Sequence, residues 1–322
     1  MYMKTTVLVT GCAGFIGSNF VRQCRAQFPE ITVVGIDDLS TGHRNEVDPS
    51  IIFYEGSMLD AELVERIFVT HKPEYVFHFA ALPRVSFSVE FPRRTTEANV
   101  VGTVAMLEAA KNHGVKRFIY SSSSSVYGGA DKLPTREDEN PSNPKSPYAA
   151  QKYMGELNCK IFSELYGMDT VCLRYFTVFG PGQYGDSPYS TVVAAWLESL
   201  YFPNNKVGFV EGDGEQSRDF CYIDNVVQAN LLAMQATRRF DGMMMNIAYG
   251  SQTSVNALRA QVEALTGKTL HLEQRPARIG DARHTFADIS RAREMLGYDP
   301  QVDVAEGLKR TVAWFEERKR TA

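Results

Sequence analysis

No strong charge of either sign marks this chain: 34 Lys and Arg are set against 38 Asp and Glu, a formal net charge of −4 over 322 residues. That balance leaves no basic field to gather nucleic acid or anionic lipid, so the expected partner is a small molecule, with no nucleic acid and no membrane. Long hydrophobic runs are missing too. None reaches the ~20 apolar residues a membrane span requires. The chain passes from Met1 into an apolar run with no basic-then-apolar leader, which predicts a soluble, cytoplasmic protein. Cysteine is sparse, and Cys12, Cys24, Cys159, Cys172 and Cys221 form no CxxC pair and no metal-type spacing. Reduced packing residues and no metal site are expected. Repeats and low-complexity tracts are absent as well, so any linker between lobes is short.

What the sequence does have is alternation. Apolar runs rich in β-branched residues at Thr6–Thr10, Ile31–Ile36, Ile51–Tyr54, Tyr75–Phe79, Arg117–Tyr120 and Thr170–Leu173 predict six strands buried on both faces. Helical stretches lie between them, one over Thr95–Asn112 that closes at Gly114 and another opening at Ser146. This pattern calls for an α/β fold, a doubly wound Rossmann arrangement with a parallel sheet. Clusters of Pro, Gly and aromatic residues at Gly180–Pro188 and Arg275–Gly280 read as loops shaping a cleft. The expected division is a Rossmann domain over residues 1–180, to which 222–250 return, and a smaller C-terminal α/β substrate-binding lobe over 181–322.

The sharpest local signal is Val7-Leu8-Val9-Thr10-Gly11-Cys12-Ala13-Gly14-Phe15-Ile16-Gly17, an apolar strand running into a glycine turn and a helix. Gly11 suits the tight turn, Gly14 the approach of backbone to a pyrophosphate and Gly17 close helix packing, while the helix N-terminus favours phosphate charge. The second strand runs to Asp37, placed to accept hydrogen bonds from an adenosine ribose diol. Asp37 and Asp38 would repel a 2′-phosphate, which selects NAD as the cofactor.

In Ser146-Pro147-Tyr148-Ala149-Ala150-Gln151-Lys152, Ser reads as a helix N-cap and Pro as the first helical residue. Tyr148 and Lys152, four apart, then share a face, and the ammonium is expected to lower the phenol's pKa and make Tyr148 a general base. A partner hydroxyl is available in the run Ser121 to Ser125, at the carboxyl end of the fifth strand, where ligands of parallel sheets bind.

Taken together, these motifs give the chain a full-length resemblance to the extended short-chain dehydrogenase/reductases of the UDP-glucose/UDP-N-acetylglucosamine 4-epimerase group. The matching segments are Thr10–Phe20, Ile36–Gly42, His78–Ala81, Asn99–Thr103, Ser121–Gly128, Ser146–Lys152, Leu173–Gly180 and Gly212–Asn225. The resemblance implies Ser123, 25 residues before Tyr148, as the hydroxyl that joins Tyr148 and Lys152 in catalysis. It implies a cofactor site of Gly11, Gly14, Phe15, Ile16, Gly17, Asp37, Asp38, Ser40, Thr41, Gly42, Ser57, Met58, Ala80, Ala81, Asn99, Tyr148, Lys152 and Tyr175, with Phe176 also at the nicotinamide end. The implied substrate contacts are Arg84, Ser123, Ser124, Tyr148, Thr177, Arg218, Arg278, Asp281 and Thr285. Two positions depart from the group's pattern, Thr177 standing for Asn and Ser57 for Asp.

The implied activity is inversion of C4 of a UDP-sugar through a transient 4-keto intermediate, on UDP-GlcNAc/UDP-GalNAc, UDP-Glc/UDP-Gal or both. Other nucleotide-sugar epimerases, dehydratases, decarboxylases and 4-reductases of the superfamily stay open, as does a non-catalytic NAD-sensing binder. Ser124 and Ser125 stand where dehydratases carry an acid, which disfavours proton removal from C5. The small Thr285 leaves room for an N-acetyl group, and Arg84 could meet an unusual or acidic sugar. A homodimer through a four-helix bundle, built on Thr95–Asn112 and Ser146–Tyr166, completes the expectations.

Overall fold

A computed structural model describes residues 5–129, 132–138, 143–185, 190–203, 208–276 and 282–321. The first half runs β1 (Thr6–Thr10), α1 (Phe15–Gln27), β2 (Thr32–Asp37), β3 (Ile52–Glu55), α2 (Ala61–His71), β4 (Tyr75–His78), α3 (Val85–Glu90), α4 (Pro92–Thr96), α5 (Gly102–Asn112) and β5 (Arg117–Ser123). The second half runs α6 (Pro147–Tyr166), β6 (Thr170–Tyr175), β7 (Thr177–Phe179), α7 (Val192–Tyr201), β8 (Gly208–Glu211), β9 (Ser217–Arg218), β10 (Phe220–Tyr222) and α8 (Ile223–Gln235). It closes with β11 (Met243–Ile247), β12 (Thr253–Ser254), α9 (Val255–Thr266), β13 (Leu272–Arg275), α10 (Ser290–Leu296) and α11 (Val304–Thr321).

Seven of these strands form one parallel sheet in the order β11-β6-β5-β4-β1-β2-β3. Apolar side chains cover both faces, Val7, Phe20, Phe77 and Leu173 in one cluster and Leu8, Val34, Phe118 and Tyr120 in the other. A sheet buried this way needs unbroken apolar strands, which is why the β-branched runs are legible as strands. Crossing from β1 to its two neighbours, β2 and β4, reverses the direction of winding and opens a crevice at the carboxyl ends. The remaining strands pair in twos, β7 with β10, β8 with β13 and β9 with β12. Among the described residues no helix is long and apolar enough to cross a membrane.

Three local differences from the sequence expectation have physical causes. The helix expected over Thr95–Asn112 opens earlier, at Pro92, and changes pitch through a π-helical turn at Glu97–Val101. The extra residue in that turn buries Asn99 and sets Gly102 beneath Met58. Strand β5 does not stop at Tyr120, because Ser121–Ser123 continue in register with Leu173–Tyr175. Arg275, expected in a loop, ends β13 and pairs with Glu211.

Helix α6 forms as its first residues require. The Ser146 hydroxyl accepts the Ala149 amide at 3.2 Å, Pro147 begins the helix, and Gly167 at φ +67° ends it. Its close seat on β5 depends on Gly155, where an added Cβ would lie 2.1 Å from the Tyr120 hydroxyl.

Candidate active site

The carboxyl ends of the central strands gather the glycine turn after β1, Asp37 at the end of β2, His78 at the end of β4 and Ser123 at the end of β5. At the turn, Gly11 has φ +72°, and a Cβ on Gly17 would meet the Gly11 carbonyl oxygen at 2.1 Å. Only hydrogen at residue 17 lets α1 start this close to β1. No side chain caps the first turn of α1, so the amides of Phe15 and Ile16 at the positive end of a 13-residue helix are available to an anion.

Asp37 is nearly buried, and its two carboxylate oxygens accept the amides of Ala13 at 2.9 Å and Leu39 at 2.8 Å. Burial raises its pKa, and the hydrogen bonds to Ala13 and Leu39 pull it back. A carboxylate offers about four lone-pair sites, which leaves Asp37 capacity to accept from a ribose diol. Asp38 is exposed and accepts the Ser40 amide at 2.9 Å. The Ser40-Thr41-Gly42 segment folds back on the glycine turn, with His43 donating its amide to the Ala13 carbonyl at 3.1 Å. These residues fit the adenosine and pyrophosphate end of NAD. Ser57 turns its hydroxyl to the Leu59 amide at 3.1 Å, and Met58 packs over Gly102.

Ala80 and Ala81 follow β4 beside Gly11, with the Ala80 amide bonded to the Thr10 hydroxyl at 3.2 Å. Their small side chains keep the crevice open there. Asn99, expected beside the cofactor, is bonded within the protein: it accepts the Leu82 amide at 2.7 Å and donates to the Leu82 carbonyl at 3.0 Å and to Gln151 at 2.8 Å. Asn99 therefore fixes the Ala80–Leu82 segment against α6. Tyr175 likewise turns its hydroxyl away, to Ser121 at 3.2 Å and to Asn230, whose amide reaches it at 2.9 Å.

Each serine of the run has a different task. Ser121 gives its carbonyl to the Lys152 ammonium at 2.7 Å, while Ser122 donates to Glu156, which is locked to Arg174 by two bonds of 2.7 Å. Ser123 accepts the Ser125 amide at 3.2 Å, and its hydroxyl is near enough to Tyr148 to favour the phenolate. Ser124 and Ser125 line the adjoining cavity. The Ser123–Tyr148–Lys152 constellation is thus assembled from β5 and one turn of α6.

Its electrostatics differ from the sequence expectation. Burial pushes the Tyr148 hydroxyl up to about 12, opposed by the Ser123 hydrogen bond and by the Arg84 charge. Lys152 does not lower it. The lysine is itself buried, its pKa pushed down to about 8 by desolvation against the pull of Glu156 and Cys159, and it spends a hydrogen bond on a carbonyl.

Against Ser124 and Ala149, the chain neighbours of Ser123 and Tyr148, lies a cavity of about 150 Å³, whose wall also includes Val85, Lys145, Thr177, Arg218 and Thr285. Sites for drug-sized ligands run roughly 300–1,000 Å³, so this space suits one sugar and not a whole nucleotide sugar. No carboxylate is among the described residues that line it. Arg218 bonds to the carbonyls of Ser217 at 2.8 Å and Arg283 at 3.0 Å. Behind it the fully buried Asp219 accepts the amides of Tyr249, Gly250 and Ala287, each at 3.2 Å, which brings Thr285 to the wall. Arg84, just outside, sits at φ +98°, a strained conformation for a residue with a Cβ. Arg278 and Asp281 lie outside the described residues.

Sequence reading missed Lys145 and His284, which share this wall. Lys145 stands next to the helix cap Ser146, a position whose exposure to the cleft was the available signal. His284 carries no local pattern.

The chain is similar to known proteins over most of its length. The model of the NAD dependent epimerase/dehydratase family matches residues 7–248. The chain is 38% identical over 321 residues to UDP-glucose 4-epimerase of Mycolicibacterium smegmatis, covering 97% of this chain and 99% of that one. The crystal structure of UDP-glucose 4-epimerase with UDP-glucose from Thermotoga maritima superposes with a TM-score of 0.91 at 40% identity, covering 98% of this chain and 99% of that one. UDP-N-acetylglucosamine 4-epimerase from Methanobrevibacter ruminantium, in complex with UDP-N-acetylmuramic acid, gives 0.89 at 36% identity, covering 98% and 100%. With its glycine turn, the acid at the end of its second strand and a family match over residues 7–248, the chain belongs to the NAD-dependent epimerase/dehydratase family.

Proposed function

We propose that this chain inverts C4 of a UDP-sugar through a transient 4-keto sugar, with Tyr148 moving the proton and Ser123 orienting the reacting oxygen. The observation that carries the reading is the placement of Tyr148 beside Ser123, next to a sugar-sized cavity whose wall takes in their chain neighbours Ala149 and Ser124 and holds no carboxylate among the described residues. NAD, bound along the glycine turn and Asp37, supplies a hydride acceptor for C4, and its positively charged ring favours a neighbouring phenolate.

Tyr148 takes the proton of the 4-hydroxyl and returns it after the sugar has turned. Ser123 donates a hydrogen bond to the same oxygen as it gains carbonyl character. Lys152 holds the end of β5 through Ser121 and places its charge 5.9 Å from the Tyr148 ring centre. Ser124 and Ser125 have no basic group for the C5 proton, so elimination lacks its agent. Arg218, Arg278 and Asp281 hold the nucleotide diphosphate and its ribose, Arg84 and Thr177 border the sugar, and Thr285 leaves space for an N-acetyl group. UDP-GlcNAc/UDP-GalNAc and UDP-Glc/UDP-Gal are the proposed pairs, in keeping with the relatives' names.

The working form is a homodimer. Met154, Leu157, Ile161 and Leu165 form a helical stripe on α6 that is 42–70% exposed, and Val101 beside it is 52% exposed. An apolar face of this kind is covered in a stable protein, and pairing α5 and α6 with their copies closes a four-helix bundle by two-fold symmetry. Five buried free thiols suit the reducing cytoplasm.

The test is to incubate the protein with UDP-glucose, UDP-N-acetylglucosamine, UDP-glucuronate and a GDP-sugar and to follow the anomeric signals by NMR. Conversion to the C4 epimer without consumption of cofactor is expected. A 4-keto sugar as the sole product overturns the assignment, and bound NAD with no conversion of any substrate supports the binder instead.

A further inference from the structure

Helix α3 packs on α6 and bonds to its first turn through Ser88. Ser88 is fully buried, and its hydroxyl donates to the Val85 carbonyl at 2.7 Å and accepts the backbone amide of Tyr148 at 3.0 Å. The amides at the start of a helix have no partner within it. In α6, Pro147 has no N–H, and the Ala149 amide goes to Ser146 at 3.2 Å. The Tyr148 amide is served from sixty residues away in sequence.

The route to that contact is itself unusual. Arg84 turns the chain at φ +98° and ψ 114° into α3, and its carbonyl accepts the Ser88 amide at 3.1 Å. Strain at a residue with a Cβ persists only where the surroundings enforce it. Here the strained turn aims Ser88 at the backbone of the residue whose side chain meets Ser123.

We infer that Ser88 is a positioning residue for proton transfer, fixing the Tyr148 backbone so that the phenol stands against Ser123. The inference rests on the assignment of Tyr148 as the proton-transfer residue. Its chemical basis is that a displacement of 1 Å at a reacting group can cost roughly 100-fold in rate, whereas a cap that merely stabilised α6 would leave kcat intact in the folded enzyme.

The experiment compares Ser88→Ala, Ser88→Thr and Ser146→Ala in the intact holoenzyme. Ser146→Ala removes a cap from the same helix turn without touching the Tyr148 amide; because Ser146 also lines the cavity, its loss of kcat is an upper bound on the cost of fraying. In Ser88→Ala, kcat for UDP-sugar epimerisation is expected to fall ~10- to 100-fold, with KM within about twofold and the content of bound NAD unchanged. Ser88→Thr, which keeps the hydroxyl, should recover most of the rate. Equal losses in Ser88→Ala and Ser146→Ala, or a kcat in Ser88→Ala within about twofold of the parent, would overturn the inference. If the parent converts no UDP-sugar, the functional reading fails by itself. Positioning is then read from the tyrosinate absorbance of Tyr148, isolated by subtracting a Tyr148→Phe titration. A titration displaced in Ser88→Ala supports the role, and an unmoved one overturns it.

Discussion

The ammonium of Lys152 is bonded to the carbonyl of Ser121 at 2.7 Å, so the cation of the YxxxK pair is anchored to the sheet and not to the phenol. Desolvation has pushed its pKa down to about 8 from 10.5. The folded chain therefore binds fewer protons than the unfolded chain between those two values, and stability attributable to this group rises with pH across that window.

Lys152→Met should abolish that rise. At neutral pH the variant is spared the cost of a buried ammonium, on the order of 3 kcal/mol, so its thermal midpoint should match or exceed that of the parent. Its kcat should nevertheless drop by roughly 100-fold or more. Melting curves at neutral and alkaline pH, set beside turnover, check both halves. A lower midpoint at neutral pH would refute the stability argument.

Tyr148 must lose its proton to act as a base, and burial holds its hydroxyl up at about 12. Below that value the phenolate fraction grows tenfold per pH unit, so kcat/KM should climb from about pH 6 toward alkaline pH, less steeply once Lys152 discharges. Bound NAD, with its positive ring, should displace the profile to lower pH. Tyr148→Phe should remove the dependence along with roughly 100- to 10,000-fold of the rate. A pH-independent kcat/KM in the parent would count against Tyr148 as the base.

Asp37→Ala removes the acceptor for two amides, Ala13 and Leu39, together with the ribose contact. An unpaired buried N–H costs about 1–3 kcal/mol, so the thermal midpoint should fall and NAD should no longer copurify. Chromatography of the cofactor released on denaturation measures the second effect. Undiminished NAD content would remove Asp37 from the cofactor site.

Thr285 lines the cavity and accepts the Asp219 amide at 3.3 Å. Thr285→Tyr should fill the space and lower turnover of UDP-N-acetylglucosamine by roughly tenfold or more while sparing UDP-glucose. Competition between the two substrates in one reaction gives the ratio directly, and an unchanged ratio would show that Thr285 does not gate the N-acetyl group.

The parts of this site that could be read in the sequence are those whose cause is local. Gly11 and Gly17 are marked because a turn and a helix must meet there, and Tyr148 with Lys152 because the helical period stacks residues four apart. What escaped notice depends on distant partners. The receiver of the Lys152 ammonium is a backbone carbonyl, which no residue type advertises. Ser88 meets the Tyr148 amide from 60 residues away, and Gln151 meets Asn99 from 52, the second through a π-helical turn that a single extra residue creates without changing the composition. Spacing alone points the Tyr148 shift downward, because it reports neighbours but not the loss of water that raises it.

Gly155 gives the helix that carries Tyr148 its place. With a methyl group there, α6 would have to stand off from the Tyr120 hydroxyl that now lies 2.1 Å from the would-be Cβ, and Lys152, one turn earlier, would lose its reach to Ser121. The same helix shows its apolar stripe to the outside. The distance from the reacting phenol to the outer surface is therefore set by an atom that is not there, and a protein that drifted to alanine at this position would have its chemistry and its outer face moved together.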